Sequence, residues 1–164
     1  MFLRKIKLWV LAGLLFSLFS LPIAAASLPN FSSKDLGSST EVQEKPFEFQ
    51  SQHLSKPTVF IFWASWCKPC VFEVPDAITL FQEVSAKIDV IGVSVDKDSR
   101  KALEFIAKYK IPYKNLHDPE MNIADLMGIT ATPALVLIDK KGSVVYRSIH
   151  IDEKLKSHIQ KIVP

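Results

Sequence analysis

The chain has 164 residues, 48% of them apolar and 23% charged. That composition favours one globular domain with a sizeable core. The formal net charge of +3 comes from Arg4, Lys5 and Lys7. Without them basic and acidic side chains are equal in number, so nothing global implies nucleic acid or an anionic membrane surface as partner.

The first 26 residues read as a secretory leader. Met1–Lys7 is a short basic segment, Leu8–Leu21 is apolar apart from Ser17 and Ser20, and Pro22 breaks the helix. Ala24–Ala25–Ala26 supplies the small residues of a cleavage site, and a cut after Ala26 is expected. The alternative is an uncleaved N-terminal anchor, since the apolar stretch just reaches the length of a bilayer span. Both readings place residues 27–164 outside the cytoplasm, in the periplasm or an equivalent space. A membrane is a partner only if the leader stays attached. No cysteine follows the small residues, which excludes a lipid-modified N-terminal cysteine.

Ser27 to about Lys56 is polar around Gly37–Thr40 and predicts a loose lead-in with short strands near Phe31–Lys34 and Phe47–Phe49. Thr58–Trp63 is a continuous β-branched and aromatic run, the pattern of a strand buried on both faces. After Ala64–Ser65–Trp66 a helix is expected from Cys67 to about Lys87. Val74, Ile78, Phe81 and Val84 lie at helical spacing, and Pro75 is expected to kink it. Asp89–Ser94 reads as a second buried strand. Ser99 is read as the cap of a helix through Tyr109, with Leu103, Phe105 and Ile106 inward. Pro112 stops it. Lys114–His117 predicts a short strand, and Asn122 is read as capping a short helix to Met127. Pro133–Asp139 and Ser143–Arg147 predict a hairpin around Lys140–Lys141–Gly142. Asp152 caps a final helix with Leu155, Ile159 and Ile162 on one face. Alternating strands and helices closed by a hairpin predict an α/β fold, a central mixed sheet with helices on both faces.

Only two cysteines are present, Cys67 and Cys70. A disulfide across so small a loop adds little chain-entropy stabilisation, so the pair points to chemistry. It sits where a buried strand meets a helix. Exchange needs a thiolate, and the helix start offers unpaired N–H groups and the positive end of the dipole. Cys67 is therefore expected to attack a substrate disulfide, with Lys68 adding some positive charge. Cys70, one turn in and expected to be less exposed, then resolves the mixed disulfide. Pro69 lies in the first turn, where its missing N–H costs nothing. A zinc site would need two further Cys or His ligands. His53, His117, His150 and His158 are scattered, and no metal or other cofactor is expected beyond the redox-active disulfide. His117 and the lysines at 110, 114, 140 and 141 read as surface or strand-end residues.

FWASWCKPCVFEVP (62–75) resembles the TlpA/ResA-like branch of the thioredoxin superfamily, and DPEMNIADLMGITATPALVLIDKKG (118–142) resembles the same branch around its cis-proline. The resemblance implies a thioredoxin fold with an N-terminal β extension and an extra βα unit. It implies a cis Thr132–Pro133 bond beside the sulfurs, with the Thr132 backbone pairing to an extended substrate segment. Glu73 matches the branch's acidic residue. Three residues after Cys70, it shares that face of the helix and could take the Cys70 proton. Thioredoxin's buried aspartate is replaced here by Ile61, which leaves Glu73 as the one acid nominated near the pair. Trp66 is expected to shield the disulfide and contact substrate, with Phe62 and Trp63 as core residues.

The resemblance further implies a monomeric reductase of protein disulfides, fed with electrons by a membrane protein of the DsbD/CcdA kind. Its duties would be reducing haem-site or copper-site cysteines, or general thiol repair. Cytochrome c maturation is disfavoured by Ala134, where the CcmG branch carries an acid. An oxidase working in the same compartment and a Cu(I)-binding chaperone remain alternatives. A peroxiredoxin-type peroxidase lacks its threonine, because position 64 is Ala.

Overall fold

A computed structural model describes residues 27–163; the leader reading lies outside these residues. Seven strands and four helices follow in the order β1 (Phe31–Gly37), β2 (Val42–Phe49), β3 (Thr58–Trp63), α1 (Lys68–Val84), β4 (Asp89–Ser94), α2 (Ser99–Tyr109), β5 (Lys114–His117), α3 (Asn122–Leu126), β6 (Ala134–Ile138), β7 (Val144–Ser148) and α4 (Glu153–Ile162). The strands form one sheet ordered β2-β1-β5-β4-β3-β6-β7. Pairs β3/β4 and β4/β5 are parallel, while β1/β2, β1/β5, β3/β6 and β6/β7 are antiparallel. This is the mixed, two-faced sheet the pattern predicts.

β3 lies at the sheet's heart, and every residue in it is buried. Its side chains alternate between two cores, as strand geometry requires. Val59, Ile61 and Trp63 face α1, α2 and α4. Phe60 and Phe62 face α3 and the N-terminal aromatics. Burying each of these phenylalanines contributes roughly 1.5–3 kcal/mol. Phe31, Phe49 and Phe60 pack with ring centroids 4.6–6.1 Å apart, tying the N-terminal hairpin to the central strand.

The lead-in is more ordered than its composition suggests. Rather than short strands in a loop, β1 and β2 form a hairpin turning at Gly37, whose φ of 79° suits glycine. β2 is the sheet's edge, which is why Pro46 is tolerated within it. Lys114 is no free surface lysine: its Nζ lies 3.1 Å from the buried Asp35 carboxylate and over the Phe47 ring.

Helix limits also shift. α1 begins at Lys68 with Cys67 as cap and ends at Val84; it runs through Pro75. Its buried stripe is Cys70, Val74, Ala77 and Leu80, with Ile78, Phe81 and Val84 on the flanks. Asp98 rather than Ser99 caps α2, accepting from the Arg100 N–H at 3.0 Å. The α3 cap residue is Met121 rather than Asn122, and Asp118 supplies the acceptors for Ile123 and Ala124 N–H. Asp152 caps α4 as expected.

Gly92 in β4 meets a packing demand. A Cβ there would lie 2.0 Å from Asn115 Oδ1. Asn115 is fully buried and satisfied: it accepts from Trp63 Nε1 at 3.1 Å and donates to the Gly37 and Tyr113 carbonyls at 3.2 and 2.8 Å. One amide thus links the N-terminal hairpin, β5 and the strand leading to the cysteines.

Candidate active site

The site forms where β3 ends and α1 begins. Cys67 and Cys70 are joined in a disulfide. Cys67 occupies the cap position of α1, and the Cys70 N–H donates to its Sγ at 3.2 Å. A sulfur thus stands where Ser or Asp usually satisfies the first free amides of a helix. When the pair is reduced, those amides and the helix dipole favour charge on that sulfur. The expected difference in exposure between the cysteines is absent: Cys67 is 4% exposed and Cys70 3%. What distinguishes them is position: Cys67 caps α1 and Cys70 lies in its first turn.

The Thr132–Pro133 bond is cis. Pro133, Cys70 and Glu73 share the wall of one small cavity of about 20 Å³, room for about one water molecule. Residues far apart in sequence therefore meet here, as the resemblance implies. Thr132 and Pro133 are half-buried.

Glu73 is also half-buried, and both its carboxylate oxygens are held. Oε1 lies 2.7 Å from His150 Nδ1, and Oε2 accepts the Ile151 N–H at 3.1 Å. Lys68 and Pro69 are exposed. Trp66 is 70% exposed and Phe72 79% exposed, so large apolar side chains project into solvent on both sides of the cysteine pair. Phe62 and Trp63 are core residues, as read from the sequence.

Sequence reasoning missed one acid. Asp96, just past β4, is 1% exposed. Its carboxylate accepts from Ser65 N–H at 2.9 Å, Ser65 Oγ at 2.7 Å and Ser94 Oγ at 2.9 Å. It therefore grips the turn that presents Trp66 and Cys67, so Glu73 is not the only acid beside the site. His117, half-buried at the end of β5, bonds the Asp96 carbonyl at 2.7 Å through Nε2 and belongs to the same support. An acid directly after a buried β run was the available signal; its partner Ser65 lies on another strand's exit and is invisible locally.

This arrangement holds two exchangeable oxidation states within one chain: a disulfide, and a dithiol whose first sulfur faces a helix start. Known proteins agree. The Redoxin family matches residues 23–162. The thiol-disulfide oxidoreductase ResA of Bacillus thuringiensis (strain Al Hakam) is 30% identical over 129 residues, covering 76% of this chain and 73% of that protein. A thiol:disulfide interchange protein DsbE homolog of Paracoccus denitrificans (strain Pd 1222) is 37% identical over 87 residues, covering 52% of this chain and 46% of that protein. A DsbE-type structure from Chlorobium tepidum superposes with a TM-score of 0.73 at 22% identity, covering 85% of this chain and 97% of that one, and supports the fold. The chain is a member of the Redoxin family and, within it, a thiol–disulfide oxidoreductase of the ResA/DsbE kind.

Proposed function

We propose that this oxidoreductase reduces protein disulfides outside the cytoplasm, with Cys67 as nucleophile and Cys70 as resolving thiol. The observation that carries the reading is the Cys67 sulfur capping α1, with Cys70 on the cavity wall it shares with the cis-proline Pro133. A reduced Cys67 thiolate attacks the substrate disulfide and forms a mixed disulfide. Cys70 loses its proton and attacks Cys67 Sγ, which releases the substrate as a dithiol. Glu73, on the same cavity wall as Cys70, takes that proton. Thr132 offers backbone pairing to an extended substrate segment, and Trp66 offers an apolar contact. Lys68 and Pro69 tune the potential.

The stretch between α1 and β6 is taken up by β4, α2, β5 and α3. That supports a plain reductase over an oxidase built around an inserted helical domain. Electrons would come from a membrane protein of the DsbD/CcdA kind, and the protein would act as a monomer with its disulfide as the only redox centre. Haem-site cysteines of apocytochrome c and copper-site cysteines are the candidate substrates. Ala134, directly after the cis-proline, weighs against the cytochrome substrate.

The test is substrate trapping. Cys70→Ser expressed in cells should accumulate mixed disulfides through Cys67 that dithiothreitol releases, while Cys67→Ser should trap nothing. A midpoint potential near that of thioredoxin, about −270 mV, fits a reductase. A value near about −120 mV would make the protein an oxidase.

A further inference from the structure

Glu73 is gripped from across the fold. His150 and Ile151 lie in the connection between β7 and α4 and are separated from Glu73 by 77 and 78 positions. Their two N–H groups face one carboxylate. The Glu73 side chain is 17% exposed and the His150 side chain 62%. The acid therefore sits inside, against the cavity it shares with Cys70 and Pro133, while the imidazole stands in solvent.

From this juxtaposition we infer that His150 is a positioning residue for resolution: its Nδ1–H holds the Glu73 carboxylate beside Cys70, where it takes the Cys70 proton. The inference rests on the proposed role of Glu73 as base.

In the mixed disulfide, Cys67 Sγ is bonded to a substrate sulfur and Cys70 is a thiol. The Cys70 proton passes to Glu73. The Cys70 thiolate attacks Cys67 Sγ, the Cys67–Cys70 bond forms, and the bond from Cys67 to the substrate breaks. The substrate sulfur leaves with that electron pair and collects a proton. The cysteine pair loses two electrons, and the substrate disulfide gains them. His150 makes and breaks no covalent bond to sulfur.

Among the described residues, no other charged group nearby holds the Glu73 carboxylate. Asp76 lies further along α1 and is exposed. Asp152 is committed to the Leu155 N–H at 2.8 Å and the Tyr146 hydroxyl at 3.2 Å. Lys154 is exposed on α4. Among the described residues, His150 is the one cationic partner within 4 Å of Glu73.

The experiment is stopped-flow reaction of the reduced protein with 5,5′-dithiobis(2-nitrobenzoate). The first thionitrobenzoate released reports attack by Cys67, and the second reports resolution by Cys70. Wild type is compared with His150→Asn, which keeps a neutral N–H donor, with His150→Ala, and with Glu73→Gln. His150→Asn should resolve within about twofold of wild type at pH 7.5, because its amide donor can replace Nδ1–H. His150→Ala should resolve about fivefold more slowly at pH 7.5 with its first phase unchanged. Resolution in His150→Asn as slow as in His150→Ala, or wild-type resolution in His150→Ala, overturns the inference. If Glu73→Gln resolves at the wild-type rate, the failure lies with the reading of Glu73 as base.

Discussion

Asp96 carries a measurable share of both stability and site geometry. Its carboxylate is buried and accepts three hydrogen bonds, two of them from Ser65 in the turn before Cys67. A hydrogen bond to a charged group contributes roughly 1.5–3 kcal/mol, and desolvating the carboxylate offsets part of that sum. Asp96→Ala removes the charge but leaves the Ser65 amide and the buried Ser94 hydroxyl without their acceptor. Ser65 is half-buried and recovers some bonding to water. The net loss should be about 2–4 kcal/mol, a fall in Tm of roughly 5–15 °C. Asp96→Asn keeps one acceptor oxygen and the shape, and should cost about half as much. The assays are urea denaturation of the oxidised protein and the rate of insulin reduction. Both substitutions should slow reduction in the same order, because the Ala64–Trp66 turn loses its anchor. An unchanged midpoint in Asp96→Ala would refute the claim that this carboxylate holds the turn.

Gly92→Ala should place a methyl against Asn115 Oδ1 and break its bond to Trp63. A loss of about 2–4 kcal/mol is expected by urea denaturation, with the near-ultraviolet tryptophan signal altered; wild-type stability would contradict the packing. Acid should uncap two helices. The Arg100 side chain, bonded to Asp98, holds that carboxyl down at about pKa 2, against an ordinary 3.8. The Leu155 N–H holds Asp152 below its ordinary value. Depressed carboxylates stabilise the fold above their unfolded values and lose that contribution as pH falls through the folded ones. For Asp98 the window runs from about 4 down to about 2, so far-ultraviolet helix signal should decline there, and Asp98→Asn should flatten part of that decline. An identical acid profile in the variant would remove Asp98 from the account.

The legible parts of the fold were those dictated locally. β3, β4 and β5 match their predicted limits residue for residue; for β3 and β4 the reason is a largely β-branched and apolar run buried on both faces, which has no competing pattern. The cysteine pair was readable from its place where a buried strand meets a helix, and the cis Thr132–Pro133 bond through the family resemblance. Local ambiguity explains the shifted caps: Asp98 and Ser99 are adjacent cap formers, and the side chain that reaches the amides decides between them. The β1–β2 hairpin was underread because an edge strand with polar residues and Pro46 lacks the buried pattern. Asp96, Asn115 and His150 act through partners 31, 52 and 77 positions away. No window along the chain reveals such pairs; the sheet order creates them.

The proposed chemistry depends on the start of α1 keeping charge on the sulfur of Cys67. Its most direct measure is the rate of iodoacetamide alkylation of the reduced protein near neutral pH, with the modified residue assigned by mass spectrometry. Cys67 should be labelled well before Cys70 and faster than a simple peptide thiol. Labelling of Cys67 no faster than the peptide, or of Cys70 first, would contradict it.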